Sequence, residues 1–125
     1  MDLKLELIPV PVANIDRAKA FYAEQVGFRL DHDVQPSATV RVVQLTPPGS
    51  ACAIVLAEGL AGIVMPAGSL RGLHLVVANI GAARAELAGR GVAMGEIQDM
   101  GGIKYAGFKD PDGNTWTLQE IPGRQ

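Results

Sequence analysis

The sequence is short of reactive side chains. Its 125 residues hold one cysteine, two histidines, one tryptophan and two tyrosines. A single cysteine excludes an internal disulfide framework. Cys52 lies inside the apolar run ACAIVLA (51–57), where a buried, inert thiol is a better reading than a nucleophile. That run has the length of a strand, and no stretch approaches the roughly 18 uninterrupted apolar residues of a membrane-spanning helix. Lys and Arg number 11 against 13 Asp and Glu, and no three basic residues are consecutive. Without clustered cations there is no counterion-releasing footprint for nucleic acid. The opening MDLKLELIPV alternates polar and apolar residues and lacks the basic front and apolar core of a secretory signal. These absences point to a cytoplasmic protein with neither a nucleic-acid nor a membrane partner.

Familiar chemical motifs are missing too. MGGIKYAG has glycines in neither the P-loop nor the dinucleotide-binding order. Asp110, Asp112 and Asn114 have the first spacings of a calcium loop. However, Gly113 stands at the fourth position and Ile121 at the twelfth, so the segment reads as a hairpin turn. No serine has an evident acid–base framework.

What is present is a core and a repeat. Apolar residues make up 48% of the chain and charged residues 19%, the balance of one folded domain. VANIDRAKAFY begins at residue 12 and VANIGAARAEL at residue 77, 65 residues apart. In each copy an asparagine (Asn14, Asn79) stands where a helix needs a cap. Ile15, Ala18, Phe21, Tyr22 and Val26 then form one apolar stripe, and Ile80, Ala83 and Leu87 the other. Gly27 and Gly91 close the helices, the second one residue shorter. Period-2 runs surround them: 3–12, FRLDHD (28–33), VRVVQLTP (40–47) and ACAIVLA in the first half. GLHLVV (72–77), VAMGEI (92–97), IKYAGF (103–108) and NTWTLQEI (114–121) follow in the second. The ends match as well, IVLAEGL at 54 against WTLQEIP at 116, an offset of 62. The expected architecture is α+β: one domain of two paired βαβββ modules over about 3–57 and 72–121, joined by a linker over about 58–71. Curved sheets would form a cleft, with the helices outside.

At this point the chain resembles the vicinal oxygen chelate superfamily, which holds glyoxalase I, extradiol dioxygenases and the bleomycin- and fosfomycin-resistance proteins. VANIDRAKAFYAEQVGFRL, GLHLVVANIGAARAELAGRGV and FKDPDGNTWTLQE carry the likeness, which covers residues 3–121. It identifies a fold that hosts several chemistries. It also implies a homodimer, and a divalent ion held in the cleft by one His, Gln or Glu from each of four strands. The implied ligand positions fall on Leu7, Val55, Gly72 and Thr117. Leu, Val and Gly offer no donor and the threonine hydroxyl only a weak one, so no metal ligands and no cofactor are expected. A shift of one residue would recover Glu6 alone; a different register would restore a divalent metal, with His74 and Glu6 as candidates.

His74 shares a strand face with Gly72 and so looks toward the expected cleft. It is either a hydrogen-bonded structural residue, a polar contact to a ligand, or an acid–base catalyst working at an accessible pKa. Thr117 and Gln119 point the same way, with Trp116 and Leu118 opposite. Gln119 either orients a ligand or ends its strand in solvent. Tyr105 and Met100 either line a mouth or pack in the core, and His32 reads as a solvated surface residue. Leu5, Leu7, Ala53 and Val55 make the cleft floor apolar, the usual character of small-molecule pockets. The expected ligand-binding set is therefore Leu7, Val55, His74, Tyr105, Thr117 and Gln119, with His74 also the catalytic candidate. The expected function is sequestration or carriage of a small, largely apolar ligand by a protein that has lost its metal site. The alternative is an enzyme: metal-independent acid–base chemistry through His74, or a metal-dependent lyase, isomerase or dioxygenase with an atypical site.

Overall fold

The computed structural model describes residues 1–60 and 64–124. Both asparagine caps form. The Asn14 side chain accepts the Arg17 amide and that of Asn79 accepts the Ala82 amide, each at 2.9 Å and each worth about 1 kcal/mol. Helix α1 (Ile15–Ala20) continues as a wider π-helical segment, Phe21–Val26, and helix α2 runs over Ile80–Gly89. This widening accounts for the extra residue in the first copy. The Val92 amide reaches back five residues to the Leu87 carbonyl, whereas the Phe28 amide reaches six, to Tyr22. Gly27 and Gly91 both take the left-handed conformation that closes a helix, with φ of 91° and 92°.

The strands form two four-stranded sheets, one from each half. The first comprises β1 (Leu7–Pro9), β2 (Arg29–Val34), β3 (Arg41–Thr46) and β4 (Ala53–Glu58), in the order β1-β4-β3-β2. The second comprises β5 (Leu73–Val76), β6 (Gln98–Met100), β7 (Ile103–Lys109) and β8 (Thr115–Glu120), in the order β5-β8-β7-β6. In each, the strand before the helix pairs in parallel with the last strand, β1 with β4 and β5 with β8, and the other ladders are antiparallel. The fold is α+β with paired βαβββ modules, and neither sheet closes into a barrel.

Two strands differ from expectation. The ladder of β1 begins only at Leu7, because Leu3 and Leu5 stand in solvent with no apolar face to cover. The run 92–97 is not a strand. Val92 is tied to the end of α2, and apart from the Gly95 amide on the Gly107 carbonyl the chain pairs only at Gln98–Met100, before the Gly101-Gly102 turn. Of the expected linker, residues 61–63 lie outside the described residues.

A single core unites the modules. Val43, Leu45, Ile54 and Leu56 from the first sheet and Ala106, Phe108, Trp116 and Leu118 from the second join the helix stripes in one buried cluster. Tyr22 and Phe28 of the first half meet Trp116 of the second with ring centroids 5.7 and 5.6 Å apart. The seam is reinforced by polar groups. The Tyr22 hydroxyl donates to the Asp110 carboxylate at 2.7 Å and accepts from the Trp116 indole at 2.9 Å. Gln25 and Arg90, separated by the repeat spacing of 65, each donate to the other's backbone carbonyl. That exchange marks the internal pseudo-twofold axis.

Candidate functional site

Because the helix-bearing sides of both sheets share that core, the opposite faces turn away from it. Strand alternation decides what those faces carry. On the second sheet the register sets His74 beside Thr117 and Thr117 beside Gly107. The next row holds Val76, Gln119 and Tyr105. Four of the six expected ligand-binding residues are thus neighbours on one face, while Trp116 and Leu118 point into the core. Leu7 and Val55 belong to the other sheet. There Leu7 pairs with Ala53 and Pro9 with Val55, an apolar strip one ladder wide. Val55 is 3% exposed and Leu7 38%.

His74 is exposed, and its Nδ1 lies 2.6 Å from the Gly72 carbonyl oxygen. A carbonyl only accepts, so Nδ1 carries the proton and Nε2 of the neutral ring is an acceptor. The Tyr105 ring stands nearly perpendicular to the imidazole, with centroids 6.4 Å apart. Tyr105 is half-buried and Met100, at 62% exposure, is outside the core.

The donor set does not fit the ion that the resemblance implies. Leu7, Val55 and Gly72 have no side-chain donor, and among the described residues no three His, Cys, Asp or Glu side chains converge. Gly72 keeps the position expected of it, since Asn79 does cap α2 and the Gly72 amide bonds to Thr115. His74 and Thr117 are left as adjacent polar groups suited to hydrogen bonding.

The first sheet's open face holds a polar corner that the sequence reading missed. A β-bulge between Leu30 and His32 turns the Asp31 carboxylate onto Gln44, Thr46 and Arg29. The Thr46 hydroxyl, then the Arg29 guanidinium, hold that carboxyl below the ordinary range. An open hollow of about 640 Å³ lies against it, lined also by Glu6, His32 and Ala53. The period-2 pattern Val43-Gln44-Leu45-Thr46 was the available signal for Gln44 and Thr46; the bulge at Asp31 had none. His32 is exposed, in keeping with a solvated residue. Cys52 is half-buried where full burial was expected, because it precedes the first ladder residue of β4. Burial, then the nearby Glu6 carboxylate, push its thiol pKa up, so the thiolate nucleophile is disfavoured.

Two paired βαβββ modules, each with an open sheet face, define the class of fold to which this chain belongs. The chain belongs to the Glyoxalase/Bleomycin resistance protein/Dioxygenase superfamily, whose family model matches residues 4–118. It is similar to the crystal structure of TnmS3, an antibiotic binding protein from Streptomyces sp. CB03234. The TM-score is 0.83 and the identity 39%, over 95% of this chain and 96% of that one. A glyoxalase/bleomycin resistance protein from the same organism is 40% identical with a TM-score of 0.78, over 92% and 98% of the two chains. A superfamily member from Sphaerobacter thermophilus DSM 20745 is 27% identical with a TM-score of 0.80, over 96% and 98%. Comparison with curated proteins finds no match. Among the described residues no helix is long and apolar enough to cross a membrane.

Proposed function

We propose that this chain is a small-molecule-binding protein that holds a compact, largely apolar ligand against the open faces of its sheets and releases it unchanged. The observation that carries this reading is the second sheet's face, where His74, Tyr105, Thr117 and Gln119 gather as hydrogen-bonding groups in two adjacent rows. On the other sheet the partly exposed Leu7, backed by the buried Val55, supplies an apolar contact. The 39% identity to an antibiotic binding protein supports the same reading.

A second copy completes the site in this proposal. Leu7, Val76 and Met100 leave large apolar side chains exposed on the open faces, and pairing one chain's first sheet with the other's second would cover them. No resident metal takes part, as the donor chemistry of the four implied positions argues.

The test incubates the protein with a panel of small-molecule antibiotics, isolates the complex and analyses what is released. Intact ligand is expected, from a sedimenting dimer, with no stoichiometric uptake of Ni, Zn, Mn or Fe(II) in calorimetric titration. A chemically altered product would make the protein an enzyme, with His74 the first candidate base. One tightly held ion per site would restore metal-assisted chemistry, and failure to bind any compound would sink the proposal.

A further inference from the structure

On the open face of the second sheet, the sizes and polarity of neighbouring side chains narrow the ligand class, given that the protein binds small molecules there. Along the row from β5 to β7 the side chains shrink from an imidazole (His74) to a hydroxyl (Thr117) to none (Gly107). The backbone does not demand glycine at 107. Its φ lies outside the left-handed region, and a Cβ there would meet nothing nearer than the Trp116 carbonyl oxygen, at 3.6 Å, an ordinary contact. What the missing side chain does is leave room over Thr117, although Gly107 sits between buried Ala106 and Phe108 in a well-paired strand.

Two aromatic rings stand beside this row. His74 and Tyr105 stand at 88° to one another, centroids 6.4 Å apart, at opposite corners of the two rows. A flat ring lying on Thr117 and Gly107 would meet these two rings by its edges, a geometry aromatic groups favour. His74 sets the polarity. Its Nδ1 proton is committed to the Gly72 carbonyl, so the neutral ring offers Nε2 only as an acceptor. A ligand hydroxyl placed there donates a hydrogen bond, whereas a methoxy or carbonyl oxygen meets a lone pair and gains nothing.

We propose that the Gly107–Thr117 trough receives a planar aromatic ring bearing a hydroxyl, and that His74 Nε2 reads the hydroxyl by accepting its proton in a hydrogen bond. His74 is then a specificity determinant for phenol-like ligands, and Gly107 the residue that makes the space.

The experiment compares 1-naphthol with 1-methoxynaphthalene by calorimetry, alongside the compounds used to test binding in general. Wild type is expected to prefer the naphthol by about tenfold, the size of one good hydrogen bond. His74→Phe, which keeps a ring but no acceptor, is expected to bring that ratio to about one while retaining the methoxy compound. Gly107→Val is expected to lose both probes with an unchanged unfolding midpoint. Equal affinity of wild type for the two probes overturns the hydroxyl reading, as does a preference that survives in His74→Phe. Normal binding by Gly107→Val overturns the trough. If other compounds bind wild type and neither probe does, the trough falls while the general binding function stands. If nothing binds at all, the binding function itself falls and takes the trough with it.

Discussion

Replacing Tyr22 by Phe removes one oxygen from the centre of the molecule, and its consequences can be worked through in advance. Tyr22 and Trp116 are buried, and so is Asp110. The tyrosine hydroxyl donates to Asp110 and accepts from the Trp116 indole. The Asp110 carboxylate keeps other donors in the variant: the side-chain and backbone amides of Asn114 and the backbone amide of Asp112. The indole N–H keeps none. An unsatisfied buried donor costs about 1–3 kcal/mol, and losing one hydrogen bond to a charged group about 1 more, so the variant is expected to be about 2–4 kcal/mol less stable. With an unfolding entropy of about 2.1 cal/mol/K per residue, the melting midpoint falls by about 8–15 °C. Trp116 is the only tryptophan, so urea unfolding followed by its fluorescence reads the seam directly, with an unchanged slope expected. Alkaline titration supplies an independent check. Burial, then the Asp110 carboxylate, push the Tyr22 pKa well above its ordinary value of 10.0. The raised pKa means the native state keeps the proton after the unfolded chain loses it. Stability is therefore intact below about pH 10 and declines above it, by up to about 1.4 kcal/mol per pH unit. Tyr105 is common to both proteins, so the gap between wild type and Tyr22→Phe should narrow at that rate above pH 10. A loss below about 0.5 kcal/mol at pH 7, or a constant gap to pH 11, would refute the account of the seam.

Two further outcomes follow from the loops and the surface. Gly68 has φ +77°, and a Cβ there would come within 2.0 Å of the Asp112 carbonyl oxygen, whereas Gly113 has φ +99° with nothing within 4 Å. Gly113→Ala should therefore cost about 1 kcal/mol of backbone strain and Gly68→Ala at least about 2 more, as read by thermal unfolding. Asp33 pairs with Arg41 and Lys19, and these hydrogen bonds lower its carboxyl pKa to about 2. Its contribution is present above about pH 4 and lost as pH falls toward 2. Solvent screening keeps it below about 1 kcal/mol. Asp33→Asn should flatten the acid limb of the stability profile, and an unaltered limb would show that the pair contributes nothing.

The helices, their caps and the doubling were legible because each rests on local chemistry: an asparagine before an apolar stripe and a glycine after it. The faces of β5 and β8 were legible because side chains alternate, and this placed His74, Thr117 and Gln119 together. The start of β6 was not. Val92 and Met94 alternate with smaller residues as a strand would, but the chain there is spent closing α2 and crossing to β7. The Asp31 corner was missed because a bulge breaks the period on which strand reading depends. How the expected floor residues Leu7 and Val55, on the first sheet, stand relative to His74, on the second, was not legible either. Which modules share a cleft depends on how two similar units dock, and alternation within a strand carries no information about docking.

The docking itself shows how the two copies have diverged. By the helix offset of 65 the counterpart of Tyr22 is Leu87, and by the strand offset of 62 the counterparts of Asp110 and Trp116 are Pro48 and Ile54. One seam therefore carries a buried hydroxyl, carboxylate and indole in mutual contact, while its mirror image offers a leucine, a proline and an isoleucine. Charge and hydrogen bonding fix the first seam in one geometry. The second is mostly apolar, with Arg90 donating to the Gln25 and Val26 carbonyls at its edge, and there a groove of about 480 Å³ remains between Pro48, Phe28 and Leu87 and the end of β5. Apolar packing tolerates such a void where a polar network would not, since an unfilled gap beside a buried carboxylate leaves a charge uncompensated. Concentrating specificity in the Tyr22 seam thus lets the other half vary. His74 stands on β5, at the looser seam, where Leu73 and Leu75 are only partly buried against the core.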